Sequence, residues 1–306
     1  MSDAQARELL AKADKKADQK GWFGGRKYDE AAELYERSAN QFKLAKNWKE
    51  AGNAFLKAAA MYQQLNNPMD EDIAQAYISS SKCFKKANDL NQAVQGLSNA
   101  IAIFLQKGRF HAAASHKKEI AAIYESELLD YEKAMAAYED AAEYYSSEDS
   151  KALANNCLLK VATFAAKLEN YQKAIEIFES IATTSVDNQL TKWSIKEYFF
   201  KAGLCHLALD VGNTVGTRQA IERYLALDPS FSNTRECKLL NNIVSDVENE
   251  DLEGFTNHVA EYDHISQLDS WKTSLLLTEW IKAVAFGGKR YNTDNQRPNV
   301  MKPSQV

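Results

Sequence analysis

The chain has 306 residues, with 37 Lys and Arg against 42 Asp and Glu for a net charge of −5, and only 4 Pro and 12 Gly. Pro and Gly together average about 12% of residues, so their scarcity excludes a sheet-rich fold with many tight turns and favours long helices. The charge excludes the concentrated basic excess that nucleic-acid binding needs. The first residues lack the apolar centre of a signal peptide, and no apolar run reaches about 18 residues, so we expect a cytoplasmic protein.

A recurring alanine marks a series of predicted helices. The alanines lie about 20 residues apart, a bulky residue often follows four positions later, and another small one follows eight later. Because these positions share one helical face, each unit predicts an amphipathic helix with a small-large-small stripe. The recurring residues are Ala31, Ala51, Ala74, Ala93, Ala113, Ala134, Ala154 and Ala174.

Most of these units open with a short polar turn before an aromatic or long apolar side chain, as in Asp89-Leu90 and Asn170-Tyr171. Asn and Asp are good N-caps because their side chains accept first-turn N–H bonds. Two units form a hairpin of about 40 residues, longer than the roughly 34 of a tetratricopeptide repeat. We therefore predict an all-α, tetratricopeptide-like twisted array of antiparallel helical hairpins over residues 1–182.

The repeat register changes after residue 182. A polar break precedes an aromatic helix from Trp193 to Leu209, and shorter helices are expected up to Trp280. These elements predict a C-terminal helical bundle over residues 183–284 that caps the array. Residues 287–306 contain two glycines, two prolines, three asparagines and few apolar side chains, which predicts a disordered tail over residues 285–306.

The sequence contains no recognisable catalytic or metal-binding motif. His111 and His116 are five residues apart, which is poor spacing for two metal ligands on one helical face. Cys205 and His206 would point about 100° apart on a helix, so they cannot form a nucleophile-base pair. The cysteines form no C-x-x-C motif and are expected to be free, buried thiols: Cys83, Cys157, Cys205 and Cys237. The sequence predicts neither an enzyme nor a metal or cofactor site.

The segment from Gly21 to Gly25 places Trp22 and Phe23 between glycines, after the first predicted helix. One interpretation is a loop tucked under the array. The other is an exposed loop whose aromatic rings enter a membrane interface. Two side chains give weak affinity, so such a loop would assist a protein already held near a membrane.

Charged residues suggest two docking surfaces. Basic residues spread over several repeats could lie along one surface and complement a long acidic partner. This basic set is Arg109, Lys117, Lys118, Lys160, Lys196, Arg235 and Lys238, with Lys85, Lys86 and Lys192 as further basic positions. An acidic set follows near the C-terminal end: Asp246, Glu248, Glu250, Asp251 and Glu253. Because it lacks the spacing of a cation-binding loop, it predicts a solvated turn or a docking patch for a basic partner.

Several segments resemble the soluble NSF-attachment proteins of the alpha type, including the fungal counterpart. They include Asn47-Trp48, Gly108 to Phe110, Ala154 to Val161, Tyr198 to His206 and Glu261 to Trp271. The likeness extends over about residues 5 to 284. It implies an adaptor, several copies of which wrap a four-helix SNARE bundle and couple it to the hexameric ATPase NSF, which takes the bundle apart after membrane fusion.

The resemblance implies that the basic set contacts the SNARE bundle, that Trp22 and Phe23 touch the membrane, and that the acidic set docks on NSF. It also implies a chain that is monomeric alone and peripheral on membranes. Relatives carry lysines where this chain has Ser115 and Asn156. Either Lys117, Lys118 and Lys160 make the main contacts with the SNARE bundle instead, or the affinity for the bundle is lower. They also end in an acidic stretch with a leucine, whereas this chain ends in a basic tail. The alternative is a general tetratricopeptide-like scaffold or co-chaperone that binds peptide tails.

Overall fold

The computed structural model describes residues 2–19, 27–65, 69–186, 191–209 and 214–277, and all regular secondary structure in these ranges is helical. Contacts divide the chain into two compact units, Met1–Glu169 and Asn170–Val306. The first unit contains eight described helices: α1 (Ser2–Asp18), α2 (Tyr28–Leu44), α3 (Trp48–Gln63), α4 (Asp70–Lys86), α5 (Leu90–Gln106), α6 (Phe110–Ser126), α7 (Tyr131–Ser146) and α8 (Lys151–Lys167).

The second unit is a helical bundle. Its longer helices are α9 (Tyr171–Ser185), α10 (Ile195–Leu209), α11 (Val215–Leu227), α12 (Arg235–Glu248) and α13 (Leu252–Ile265). Short 3-10 turns at Lys192–Ser194 and Pro229–Asn233 precede α10 and α12, and residues 270–277 are also helical. Contacts group α9 with this unit, whereas the alanine repeat placed it in the array. The boundary after residue 182 therefore stays a prediction about where the repeat pattern ends. The all-α fold class is confirmed, because all regular secondary structure in the described ranges is helical.

The polar turns of the repeat mark the helix starts. The residues that follow them are the first residues of their helices: Tyr28, Trp48, Leu90, Phe110, Tyr131 and Tyr171. Three N-caps, Asp89, Asp130 and Asn170, accept a hydrogen bond from the backbone N–H three residues later. Asn47 has a different role, because its side-chain amide donates to Oδ1 of Asp3 at 3.0 Å and links the starts of α3 and α1.

The connections reverse the chain through a left-handed residue. Lys46, Asn88 and Gly108 have φ values of 59°, 58° and 69°. In the turn after α4, the N–H of Asp89 donates to the carbonyl of Phe84 at 2.9 Å. A carbonyl in the last turn of α4 is thus hydrogen-bonded by the N-cap residue of α5. Such short turns leave neighbouring helices antiparallel.

Alternate helices of the first unit lie side by side. Arg109 at the start of α6 forms an ion pair with Glu71 of α4, and Lys160 of α8 forms one with Glu125 of α6. An ion pair joins α3 to α1 in the same way. The even layer, which we define as α2, α4, α6 and α8, therefore stands on one side of the array and the odd-numbered helices on the other.

The alanine stripe is buried in the core. All eight repeat alanines are at most 3% exposed, and the bulky residues that follow them, such as Tyr35 and Leu97, are buried as well. Small side chains allow close helix contact, as between α3 and α4, where a Cβ on Gly52 would lie 2.9 Å from Cζ of the buried ring of Phe84. The hydroxyl of Ser80 donates to the carbonyl of Gly52 at 2.9 Å across the same contact.

Candidate functional site

Two predicted basic residues, one in α6 and one at its N-cap, form ion pairs with carboxylates of other helices. Nζ of Lys117 lies 2.8 Å from Oδ2 of Asp140 on α7. The guanidinium of Arg109 forms its ion pair with Glu71 and also lies 4.9 Å from the ring centroid of Phe104. Both cations are therefore held in place by internal partners.

Lys160 has a similar arrangement on α8. Its Nζ lies 2.6 Å from Oε1 of Glu125, and the hydroxyl of Tyr138 donates to Oε2 of the same carboxylate at 2.7 Å. Burial by itself raises the pKa of Glu125, but the hydrogen bonds from Lys160 and Tyr138 outweigh it and lower that pKa. The carboxylate stays ionised and fixes the position of a lysine that is about half exposed.

The outer face of the even layer carries Lys118 and the uncharged residues Ser115 and Asn156. Ser115 and Lys118 are exposed one turn apart on α6, and Asn156 and Lys160 are exposed one turn apart on α8. Residues three or four positions apart share a helical face. Within the described ranges Lys118 has no ion pair, so its charge is directed to solvent.

In the second unit, Lys196 and Arg235 each contact a residue of another helical segment. Nζ of Lys196 lies 3.1 Å from Oε1 of Glu236, which is buried, and Arg235 donates to the hydroxyl of Ser266 at 2.8 Å. Oε2 of Glu236 has no hydrogen-bond partner in the described part of the chain. Lys238 lies one turn further along α12 and is largely exposed.

The acidic set does not form one exposed patch. Asp246 is buried, and its Oδ2 lies 2.7 Å from Nδ1 of His258. Hydrogen bonds from Arg218 and from Thr214 lower the pKa of Glu248 to about 2. These two carboxylates therefore serve contacts inside the second unit.

The other three acidic residues lie at the turn into α13. Oδ1 of Asp251 accepts the N–H of Gly254 at 2.8 Å and caps this helix. Glu250 and Glu253 are exposed and have no ion pair among the residues that the structure describes. The docking role predicted for the acidic set is thus left mainly to Glu250 and Glu253.

The four cysteines are free and buried, as the sequence predicted. Burial raises the pKa of the Cys205 thiol, whereas a reactive thiol needs a lowered pKa. Nε2 of His206 lies 2.9 Å from Oε1 of Glu179, so the histidine is paired with a carboxylate of α9. In the described ranges, no three His, Cys, Asp or Glu residues are grouped to hold a metal ion, and no helix is long and apolar enough to cross a bilayer.

Two further predictions fall outside the described residues: the loop with Trp22 and Phe23, and the tail from residue 285 to residue 306. Sequence reasoning also missed the carboxylates that hold the basic set. Glu71 and Glu125 lie 38 and 35 residues from Arg109 and Lys160 along the chain, and no local spacing signals such pairs.

The sequence profile of the family described as soluble NSF attachment protein, SNAP, matches residues 4–282 of the chain. The chain belongs to the soluble NSF attachment protein family. It is 47% identical over 280 residues to the alpha-soluble NSF attachment protein of Mus musculus, a match that covers 90% of this chain and 93% of the relative. It is 43% identical to a probable vesicular-fusion protein sec17 homolog of Schizosaccharomyces pombe, over 88% of this chain and 93% of that one.

A more distant member of the soluble NSF attachment protein family is also similar over most of its length. The alpha-soluble NSF attachment protein of Saccharomyces cerevisiae is 35% identical, with 88% of this chain and 93% of the relative covered. The resemblance predicted from the sequence is therefore confirmed. Family membership supports a role in NSF-mediated vesicle fusion, and the proteins of this family are adaptors rather than enzymes.

Proposed function

We propose that this SNAP family protein is an adaptor that binds assembled SNARE complexes, recruits NSF and transmits the force of the ATPase to the SNARE bundle. The observation that carries the proposal is membership in the family over residues 4–282. The rigid packing of antiparallel helices fits a part that transmits force without carrying out chemistry.

The outer face of the even layer supports SNARE binding. Lys118 and Lys160 are exposed on parallel helices, so they offer several weak cationic contacts to an acidic, elongated surface. Arg109 and Lys117 add charge, and in the second unit Lys196, Arg235 and Lys238 supply a further group. Each contact is weak and screened by salt, so affinity depends on the set.

The exposed carboxylates of Glu250 and Glu253 support docking on basic surfaces of NSF. The resemblance implies that an acidic, leucine-ended terminus stimulates the ATPase, whereas residues 287–306 of this sequence are basic. An acidic, leucine-ended segment appended after Val284 should raise NSF turnover if the present tail is deficient.

At the membrane, Trp22 and Phe23 insert into the interface and assist an adaptor that is already held there by membrane-anchored SNAREs. The protein is monomeric alone, cytoplasmic and peripheral on membranes, and several copies surround one SNARE bundle. With several copies on one bundle and the membrane nearby, the binding partners stay close together, which raises the effective concentration at which each weak contact forms.

A pull-down with preassembled SNARE bundle, single SNARE helices and NSF tests the proposal. At low salt, we expect the chain to bind the assembled bundle more tightly than it binds any single SNARE helix. We also expect it to retain NSF only when the bundle is present. Absence of bundle-dependent recruitment ends the proposal. Binding of an isolated C-terminal peptide as tightly as of the bundle favours the alternative of a peptide-binding scaffold or co-chaperone.

A further inference from the structure

A cleft of about 630 Å³ opens on the even layer where α2, α4 and the start of α3 meet. Four lysines line it: Lys43 from α2, and Lys82, Lys85 and Lys86 from the last turns of α4. Its other lining residues are uncharged, so no carboxylate is part of its wall. The cleft therefore concentrates positive charge from two helices in one place.

The lysines of the cleft differ from the basic residues that hold the array together. Arg109, Lys117 and Lys160 each form an ion pair, whereas the cleft lysines have none within the part of the chain that the structure describes. Nζ of Lys86 lies 4.4 Å from the ring centroid of Trp48. A cation-π contact of this kind positions a lysine but leaves its charge uncompensated.

The positive field extends to the neighbouring helix of the even layer. Glu119 of α6 has a lowered pKa because His116 forms a hydrogen bond with it and, to a smaller extent, because Lys85 and Lys82 act on it by their charges. Glu119 lies 3.5 Å from His116 and does not line the cleft. Mutual repulsion among the cleft lysines is thus only partly relieved inside the protein, and a bound anion would relieve it further.

We propose that this cleft binds a compact anion with two or more phosphate groups, as found in a phosphoinositide headgroup or in a free inositol phosphate. Ammonium groups bind phosphate as point charges and tolerate several geometries. This suits a site with three lysines on α4 and a fourth on α2. The volume lies in the range of small-ligand sites. The amide of Gln75 and the hydroxyl of Ser79 line the same cleft and can orient the ligand by hydrogen bonds.

Shape favours a compact phosphate ligand over the acidic side of a helical protein. A concave site encloses a small anion from several directions, whereas a helix surface is convex and meets lysines on an open face. Lys85 and Lys86 line the cleft and are also among the further basic positions, but Lys118 and Lys160, to which the SNARE contacts are assigned, lie outside it. Failure of one proposal therefore leaves the other standing.

Calorimetric titration of the full chain with inositol trisphosphate tests the site, and a flotation assay with phosphatidylcholine vesicles, with or without phosphatidylinositol bisphosphate, identifies the source of the phosphates. The test variant is Lys82→Gln with Lys86→Gln. The matched control is Lys107→Gln with Lys133→Gln, which removes the same charge from exposed lysines outside the cleft. Thermal unfolding of both variants checks that the fold is retained.

We expect saturable binding of inositol trisphosphate that weakens with salt, falls at least about tenfold in the test variant and changes less than about twofold in the control. Vesicle binding that depends on the bisphosphate lipid and on Lys82 and Lys86 assigns the site to a headgroup, and binding of the soluble ligand alone assigns it to a free phosphate. No saturable binding, or an equal loss in test and control variants, overturns the proposal. So does binding of acidic peptides with none of the phosphate ligand.

Discussion

Nζ of Lys160 lies 2.6 Å from Oε1 of Glu125, and this ion pair joins α8 to α6 across the even layer. The lysine is about half exposed, and pairs of this kind contribute only about 0–1 kcal/mol to stability. An acidic partner can therefore compete for Lys160 at little cost to the fold. Glu125 is also held by Tyr138, so it keeps the lysine in position before a partner arrives.

The first prediction concerns the outer lysines of the even layer. The double variant Lys118→Gln with Lys160→Gln should weaken binding of a soluble SNARE bundle by about fivefold or more at low ionic strength, because two cationic contacts are lost. Its unfolding free energy should change by no more than about 1 kcal/mol, because both side chains are exposed. Titration of the bundle and denaturant unfolding measure the two effects. The control Lys107→Gln with Lys133→Gln should bind normally; equal weakening would mean that only total charge matters.

The second prediction separates the exposed and buried members of the acidic set. Glu250→Gln with Glu253→Gln should reduce bundle-dependent recruitment of NSF while leaving the thermal midpoint unchanged, because both carboxylates face solvent. Asp246→Ala should instead destabilise the chain by about 1–3 kcal/mol, because it removes the partner of His258 from a buried site. Pull-down and thermal unfolding distinguish them. A loss of recruitment by Asp246→Ala at full stability would place the docking contact there.

The third prediction concerns the aromatic pair near the N-terminus. Trp22→Ser with Phe23→Ser should lower disassembly of liposome-anchored SNARE complexes and leave soluble complexes unaffected, because only the anchored substrate uses membrane insertion. Disassembly assays on the two substrates provide the measurement. An equal loss on both would show that the rings pack against the protein, as in the other interpretation of this loop.

The fourth prediction tests the close contact between α3 and α4. Gly52→Ala should destabilise the chain by about 1–3 kcal/mol, because its new Cβ would lie 2.9 Å from the buried ring of Phe84. Gly216→Ala is the matched control, since no described atom lies within 4 Å of its new Cβ. The control should be neutral or stabilising by up to about 1 kcal/mol, because alanine favours a helix over glycine. Urea unfolding of both variants measures the change in the free energy of unfolding. Equal changes in the two variants would show that the contact with Phe84 is not the cause.

The fifth prediction concerns the carboxylate of Glu179, which accepts a hydrogen bond from the hydroxyl of Tyr224 at 2.6 Å and pairs with His206. Burial raises the pKa of Glu179, but hydrogen bonds from His206 and Tyr224 outweigh it, so the pKa in the fold lies below the ordinary 4.5. The ionised group therefore stabilises the fold above about pH 4.5, and this contribution is lost as the pH falls through the lowered pKa.

Glu179→Gln should accordingly destabilise the chain by about 1–2 kcal/mol at neutral pH, with the difference from the wild type shrinking in acid. Urea unfolding at neutral pH and below the ordinary pKa of glutamate measures the change. Glu176→Gln, an exposed position one turn away on α9, serves as the control and should change stability by less than about 0.5 kcal/mol. A penalty from Glu179→Gln that grows with acid would contradict the sign of the pKa shift.

Local patterns in the sequence predicted the helices well. Asp89, Asp130 and Asn170 cap helices where the polar turns indicated, and the repeat alanines are all buried. These features depend on spacing within one helix and on the residues next to it. The family was also evident from the sequence, because conspicuous segments such as Tyr198 to His206 stand in the expected order.

The charged surfaces were less predictable. Asp246 and Glu250 are four residues apart and both carry a carboxyl group, yet Asp246 is buried against His258 while Glu250 is exposed at a turn. Lys117 and Lys118 are adjacent, but Lys117 pairs with Asp140 while the Lys118 side chain is directed to solvent. Which neighbour is engaged depends on the facing helix, and sequence spacing does not specify that helix.

The sequence by itself thus determined the helical class, the position of the helix starts, the small-large-small core stripe and the family. Each is carried by residues close in the chain or by the order of many segments. Only the tertiary structure decided which cations are paired, which acids are buried, and that Lys43 joins three lysines of α4 around one cleft. The reason is physical: helix propensity and capping act over a single turn, whereas ion pairing and burial depend on side chains brought together from different helices.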